Sequence, residues 1–329
     1  VTMAVAQDYD ALLLDLDGTI WEGGRAIPGA VEGVIASGLP AMYVTNNASR
    51  APEAVAEQLR SIGLPAKDSD VLTSAQAAIE MVSDRIPAGS KVFVLGSPSF
   101  RALAEQAGFV VVDSADDAPI AVLQGHSPET GWAQLSEAAL AIQRGAVYVA
   151  SNLDTTLPQE RGLMIGNGSM VAAVVSATGV MPDSAGKPGP PMFFSAAAKL
   201  GSSRPLAVGD RLNTDIAGGN AAGMDTFQVL TGVSGYHAVL RAIPEERPTM
   251  FADSMGALLD DAAELIPAAQ GGFQARLEGS TLVLSGGTSE STPIQSLRTA
   301  TAVAWATDTS VQDVRAEGEY ATRALEQWS

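Results

Sequence analysis

The chain has 329 residues, 46% of them hydrophobic, and a formal net charge of −18 at neutral pH. That length predicts two or three folded units with enough apolar residues for a sizeable core. The carboxylate excess argues against a broad phosphate-binding face for nucleic acid and against adhesion to anionic membranes, and the absence of cysteine excludes disulfides, thiolate nucleophiles and cysteine-held metals. With His126 and His237 the only histidines, a metal is expected to be held by oxygen, which favours Mg2+, Mn2+ or Ca2+. The segment Val1 to Asp10 lacks a basic region followed by an apolar run, and no stretch approaches the ~18 uncharged apolar residues that span a bilayer. A cytoplasmic protein is expected.

In chain order, the pattern alternates strands and helices, as in an α/β fold with a parallel sheet. Tyr9 to Leu16 reads as a buried strand stopping at Asp15-Leu16-Asp17-Gly18-Thr19, followed by a helix over Gly29 to Ile35. Pro40 to Thr45 reads as a second buried strand ending in Asn46-Asn47, and Ala51 to Ile62 as an amphipathic helix with Pro52 in its first turn. A short strand over Asp70 to Thr73 leads into a helix over Ser74 to Val82. A second, self-sufficient series follows, with strands at Lys91–Leu95, Phe109–Val112, Ile120–Gln124 and Ala146–Ala150, and helices at Pro98–Gln106, Gly131–Arg144 and Met170–Thr178. The first pattern then resumes with a helix over Pro191 to Leu200, a strand over Pro205 to Val208 ending in Gly209-Asp210, a helix over Asn213 to Ala222 and a strand over Asp225 to Leu230. One α/β domain is thus interrupted by another: residues 1–77 and 184–262 form a core and residues 78–183 an insertion. Residues 263–329 read as a small α+β extension, with a hairpin over Phe273–Leu277 and Thr281–Leu284 and helices at Ile294–Ala306 and Glu319–Trp328.

Active sites of open parallel sheets lie at the carboxyl ends of the strands. Three buried strands here end in polar residues, at Asp15/Asp17, Thr45/Asn46 and Asp210. Carboxylates gathered on one rim repel one another unless a cation is bound, and oxygen-coordinated Mg2+ meets that need. Asp15 is a candidate nucleophile, since an aspartate can attack phosphorus to form an acyl phosphate, and Asp17 a candidate general acid and base. Gly18 lets the chain turn and brings backbone N–H groups toward a ligand. Ser49 reads as a cap for the helix starting near Ala51, and Asp215 lies in the first turns of a helix, where the macrodipole favours a carboxylate.

These pieces resemble the four motifs of the haloacid dehalogenase-like phosphohydrolases, in the right order: DLDGT, the strand ending at Thr45, Lys187 in Gly186-Lys187-Pro188, and Gly209-Asp210 through Asp215. DLDGTIWEGGRAIPGA, VTNNASR and GDRLNTDI are similar to the subgroup of p-nitrophenyl phosphatase and NagD type. Within it, SNLDTTLPQERGL, GNGSMVAA and the C-terminal unit are most similar to actinobacterial glycerol 3-phosphate phosphatases. The resemblance implies an α/β Rossmann-like core with a parallel sheet, carrying a C2-type α/β cap between the second and third motifs.

By position, the resemblance makes Asp15 the nucleophile and Asp17 the acid/base. The implied Mg2+ set is Asp15, Asp17 through its backbone carbonyl, Asp210, and Asp215 standing behind Asp210. Gly18, Thr45, Asn46 and Lys187 become the phosphate-holding groups. Substrate contacts in the cap are sought at Asn152 and Asp154 and in a glycine-rich loop, Gly166-Asn167-Gly168-Ser169, with turns and a helix N-cap before Met170 as the equal alternative. His126 stands near a place where many relatives carry an aspartate. The expected activity is Mg2+-dependent hydrolysis of a small phosphomonoester, first of all glycerol 3-phosphate. Phosphoglycolate, pyridoxal phosphate and sugar or nucleoside monophosphates stand behind it, and a phosphotransferase or a non-catalytic regulator further back. The 5% aromatic content favours a small polar substrate. Neither nucleic acid nor membrane is an expected partner, and homo-oligomer formation stays open.

Overall fold

The computed structural model describes residues 4–159, 161–307 and 310–328. Its contacts divide the chain into two compact units, Val1–Ala41 with Leu200–Ser329, and Met42–Lys199.

In the first unit, Met250–Ala252, Asp225–Val229, Pro205–Gly209 and Ala11–Leu14 lie side by side in that order, all parallel. Ala11 to Leu14 is wholly buried, as an unbroken apolar run between two covered faces requires. Leu14 is in register with Val208, and the N–H of Asp15 donates to the Val208 carbonyl at 2.9 Å. The expected α-helix from Asn213 begins differently: Leu212–Ile216 forms a π-helical turn, followed by an α-helix over Ala217–Ala221. The reason is local. The Asp215 carboxylate accepts the Arg211 N–H at 3.1 Å, while the N–H of Ile216 reaches five residues back to the Arg211 carbonyl at 3.2 Å.

The extension belongs to this unit. Phe273–Glu278 pairs antiparallel with Thr281–Gly286, as expected, and a third strand, Asp313–Glu317, adds in parallel. The helix Pro293–Ala304 links the last two strands and supplies Leu297 and Ala300 to a core that also holds Leu282, Leu284 and Trp328.

The second unit opens within the strand Ala41–Thr45, which pairs in parallel with Val71–Thr73. Thr73 and Gln76 then cap the helix Ser74–Ser83 reciprocally, a device worth about 1 kcal/mol. A separate parallel sheet has the order Asp183–Ser184, Val147–Ala150, Ala121–Gln124, Lys91–Leu95, Val110–Val112. Its core gathers Phe93, Leu95, Val122, Tyr148 and Ile142. A hairpin that the sequence pattern did not indicate joins Thr156–Gln159 to Gly162–Ile165. Among the described residues, no helix is long and apolar enough to cross a membrane.

Candidate active site

In the first unit, parallel pairing brings the ends of Ala11–Leu14 and Pro205–Gly209 level. That places Asp15 and Asp210, each just past a strand end, beside one another. Ligand atoms of Asp15, Asp210 and Asp215 lie within 4.8 Å of one another, the one such carboxylate cluster among the described residues. Asp210 is 1% exposed. Its Oδ2 accepts the Val233 N–H at 2.6 Å, and its carbonyl accepts from Gln228 Nε2 at 2.6 Å and the Ser234 N–H at 3.1 Å. Glycine is required on both sides: a Cβ on Gly18, whose φ is +88°, would meet Asp210 Oδ2 at 2.6 Å, and one on Gly209 would meet the Asp215 Cβ at 2.3 Å. Three hard anionic oxygen donors this close match the chemistry of a small divalent cation.

Asp17 stands outside this three-carboxylate group and is exposed. The buried indole of Trp21 donates from Nε1 to Asp17 Oδ1 at 2.8 Å, fixing the orientation of one carboxylate oxygen. The Thr231 hydroxyl donates to the Gly18 carbonyl at 2.6 Å and ties down the same turn. Neither contact follows from the sequence pattern. The spacing DxxxW was there to read, but a bulky residue after a turn reads first as core.

In the second unit the remaining polar residues are knit together. Lys187 is 4% exposed, and its Nζ donates to the Val44 carbonyl at 3.0 Å. Asn46 Nδ2 donates to the Lys187 carbonyl at 3.1 Å and to Asp154 Oδ2 at 3.2 Å, while Asn46 Oδ1 accepts the Lys187 N–H at 2.8 Å. The Asn46 carbonyl accepts from the Ser74 hydroxyl and from Asn152 Nδ2, at 2.6 and 2.7 Å. Thr45 is buried, and its Oγ1 accepts the Asn47 N–H at 3.1 Å.

Two local expectations are corrected here. Ser49 does not cap the helix Pro52–Ser61, whose N-cap is Ala51; its N–H and hydroxyl both donate to Asn47 Oδ1, at 2.9 and 2.6 Å, closing an Asx turn instead. Gly166-Asn167-Gly168-Ser169 is not a loop, because the helix Asn167–Thr178 starts there with Gly166 as N-cap. Gly166 and Gly168 are buried where a Cβ would meet the Asp154 and Leu153 carbonyls at 2.3 and 2.1 Å, so their smallness serves close backbone packing. Asn167 is 2% exposed and donates to the Asn152 carbonyl at 2.7 Å, bracing that residue from behind. His126 is half-buried.

The sequence pattern of haloacid dehalogenase-like hydrolases matches residues 12–110, and a HAD-hydrolase-like pattern matches residues 184–258. Residues 270–329 match a GCN5-related N-acetyltransferase-like domain. Over 281 residues the chain is 42% identical to D-glycerol 3-phosphate phosphatase of Mycobacterium tuberculosis, covering 85% of this chain and 80% of that protein. It is 38% identical over 233 residues to the acid sugar phosphatase of Staphylococcus aureus, covering 69% and 89%. The crystal structure of the M. tuberculosis glycerol phosphate phosphatase in complex with magnesium superposes with a TM-score of 0.94 at 39% identity, over 100% of this chain and 99% of that one.

Proposed function

This chain belongs to the haloacid dehalogenase-like hydrolases, and from that premise we propose that it is a Mg2+-dependent phosphomonoesterase whose substrate is glycerol 3-phosphate. The observation that carries the proposal is the cluster of Asp15, Asp210 and Asp215 at the carboxyl ends of neighbouring parallel strands. The 42% identity to a D-glycerol 3-phosphate phosphatase supports the choice of substrate. The likeness to an acid sugar phosphatase makes small sugar phosphates the second reading.

In this proposal Asp15, the Asp17 carbonyl and Asp210 hold Mg2+, with Asp215 behind them. When bound, the ion offsets the charge of these carboxylates and of the phosphoryl oxygens. A carboxylate oxygen of Asp15 attacks phosphorus in line, and the bond from phosphorus to the ester oxygen breaks. Asp17 gives its proton to that departing oxygen, so glycerol leaves as a neutral alcohol. Asp17, now a carboxylate, takes a proton from water as the water oxygen attacks the same phosphorus. The bond to Asp15 breaks and inorganic phosphate is released. Thr45, the Asn46 N–H and Lys187 act on the phosphoryl oxygens, where donors and a cation lower the barrier most; Gly18, expected among them, gives its N–H to the Trp21 carbonyl at 2.8 Å and shapes the turn instead.

The division into a core of residues 1–77 and 184–262, a cap of residues 78–183 and an extension of residues 263–329 is part of the same proposal, with Asn152 and Asp154 as cap groups toward the substrate. So is a cytoplasmic location without nucleic-acid or membrane partners, which the net charge of −18 supports. The test is phosphate release from a panel of small phosphomonoesters ranked by kcat/KM, with Asp15→Asn as control. Glycerol 3-phosphate is expected to lead and the control to be inactive. Equal kcat/KM across the panel overturns the substrate, and a fully active control overturns the mechanism.

A further inference from the structure

The extension shares its hydrophobic core with the segment that presents the metal carboxylates. Leu212 and Ile216, from the π-helical turn carrying Asp215, and Val239 and Leu240, from the short helix Tyr236–Leu240, pack in one cluster with Leu282, Leu284, Leu297, Ala300 and Trp328. Two tryptophans grip that short helix. Trp328 lies 5.9 Å from the ring of Tyr236 and edge-on at 5.6 Å to His237, and Trp305 Nε1 donates to the Leu240 carbonyl at 3.2 Å. Trp328 is itself pinned, donating from Nε1 to the Ser296 hydroxyl at 3.0 Å.

The helix they grip begins directly after Val233 and Ser234, which hold Asp210. The Val233 N–H reaches Asp210 Oδ2, the Ser234 N–H reaches the Asp210 carbonyl, and the Ser234 hydroxyl accepts the Leu212 N–H at 3.2 Å. A Cβ on Gly232 would fall 2.0 Å from Asp210 Oδ2, so this loop is pressed against the carboxylate it orients. A shift of the helix is therefore passed through a few bonds to Asp210. Hydrogen-bond partners behind a metal ligand typically change metal affinity about 10- to 100-fold when removed.

We propose that the C-terminal extension is a positioning element for Asp210, with Trp328 as its principal contact on the helix Tyr236–Leu240. The proposal rests on Asp210 being a Mg2+ ligand. The extension thus acts on the chemistry through packing, without a residue of its own in the reaction.

The test measures Mg2+ binding by titration calorimetry, and thermal stability with and without Mg2+, on the full chain. Trp328→Ala is expected to weaken Mg2+ binding about tenfold and to shrink the Mg2+-induced rise in Tm, while Trp328→Phe stays near wild type. Trp328→Leu takes its place if the alanine variant fails to fold. Phe100→Leu, in the core of the other unit, serves as control: it is expected to lower Tm with Mg2+ affinity unchanged. A Trp328 variant that lowers Tm and binds Mg2+ like wild type overturns the proposal. Absence of Mg2+ binding by the wild-type protein overturns instead the assignment of the carboxylate cluster on which it stands.

Discussion

The side-chain amide of Asn46 is paired with the backbone of Lys187 on both sides of its Cα, giving a hydrogen bond to its carbonyl at 3.1 Å and taking one from its N–H at 2.8 Å. One residue thereby fixes the backbone from which the buried ammonium extends, and the same Nδ2 reaches Asp154. Asn46→Ala leaves a peptide donor and acceptor without these partners, a loss of about 1–3 kcal/mol. If Lys187 stabilises the transferring phosphoryl group, kcat/KM falls about 10- to 100-fold. Asn46→Asp keeps the acceptor but sets a carboxylate oxygen against Asp154 and the Lys187 carbonyl, so a fall at least as large as that of the alanine variant is expected. Steady-state kinetics decide it: an alanine variant with wild-type kcat/KM means the pairing is dispensable.

Trp21 orients Asp17 through a single indole N–H. Trp21→Phe keeps most of the buried ring and removes only that donor. General acid–base catalysis contributes about 10²–10⁴-fold, and a carboxylate that has lost this donor forfeits part of it. A fall in kcat of about tenfold is expected, with KM little changed, since ground-state binding does not involve this bond. Unchanged kcat in a folded variant shows that Asp17 needs no such guide.

The three clustered carboxylates predict dependence on a cation. Chelation with EDTA is expected to abolish phosphate release and Mg2+ to restore it. Mg2+ should also raise Tm in the wild type, because a ligand that binds only the folded state stabilises it. Asp210→Asn is expected to show little of that rise and to lose most activity. Metal-independent turnover counts against the site as described.

The strand ends and the DLDGT turn were legible because their signals are local: an unbroken apolar run stopping at an aspartate needs no knowledge of its neighbours. The hairpin Thr156–Gln159 with Gly162–Ile165 was not, since Gly162 to Ile165 is exposed throughout and leaves no alternation to read. Asp313–Glu317 was hidden for another reason. Its charged Arg315 and Glu317 are matched across the sheet by Arg276 and Glu278 in a surface ion network, and that matching exists only after pairing. The cap assigned to Ser49 failed because the helix starts later, with Ala51 as its N-cap, and the Ser49 N–H and hydroxyl turn back to donate to Asn47 Oδ1. The grip of Asn46 on Lys187 spans 141 positions, beyond any pattern of spacing.

His237 gives the fold a dependence on pH. Its ring lies edge-on to Trp328, with Nδ1 buried and without a hydrogen-bond partner. Burial first, and the nearby Arg241 second, disfavour its charged form and hold its pKa below the ordinary 6.5. The folded protein therefore keeps this histidine neutral at a pH where the unfolded chain already binds a proton. Stability is lost where the unfolded state holds more protons, that is, as pH falls from about 6.5 toward the lower folded value, below which the loss is constant. His237→Gln carries no titrating group. The wild type is expected to lose stability relative to this variant between about pH 7.5 and 5.5, a window bracketing the unfolded pKa. Thermal melts of both proteins across that range decide it, and a Tm difference that stays constant with pH excludes His237 as the source.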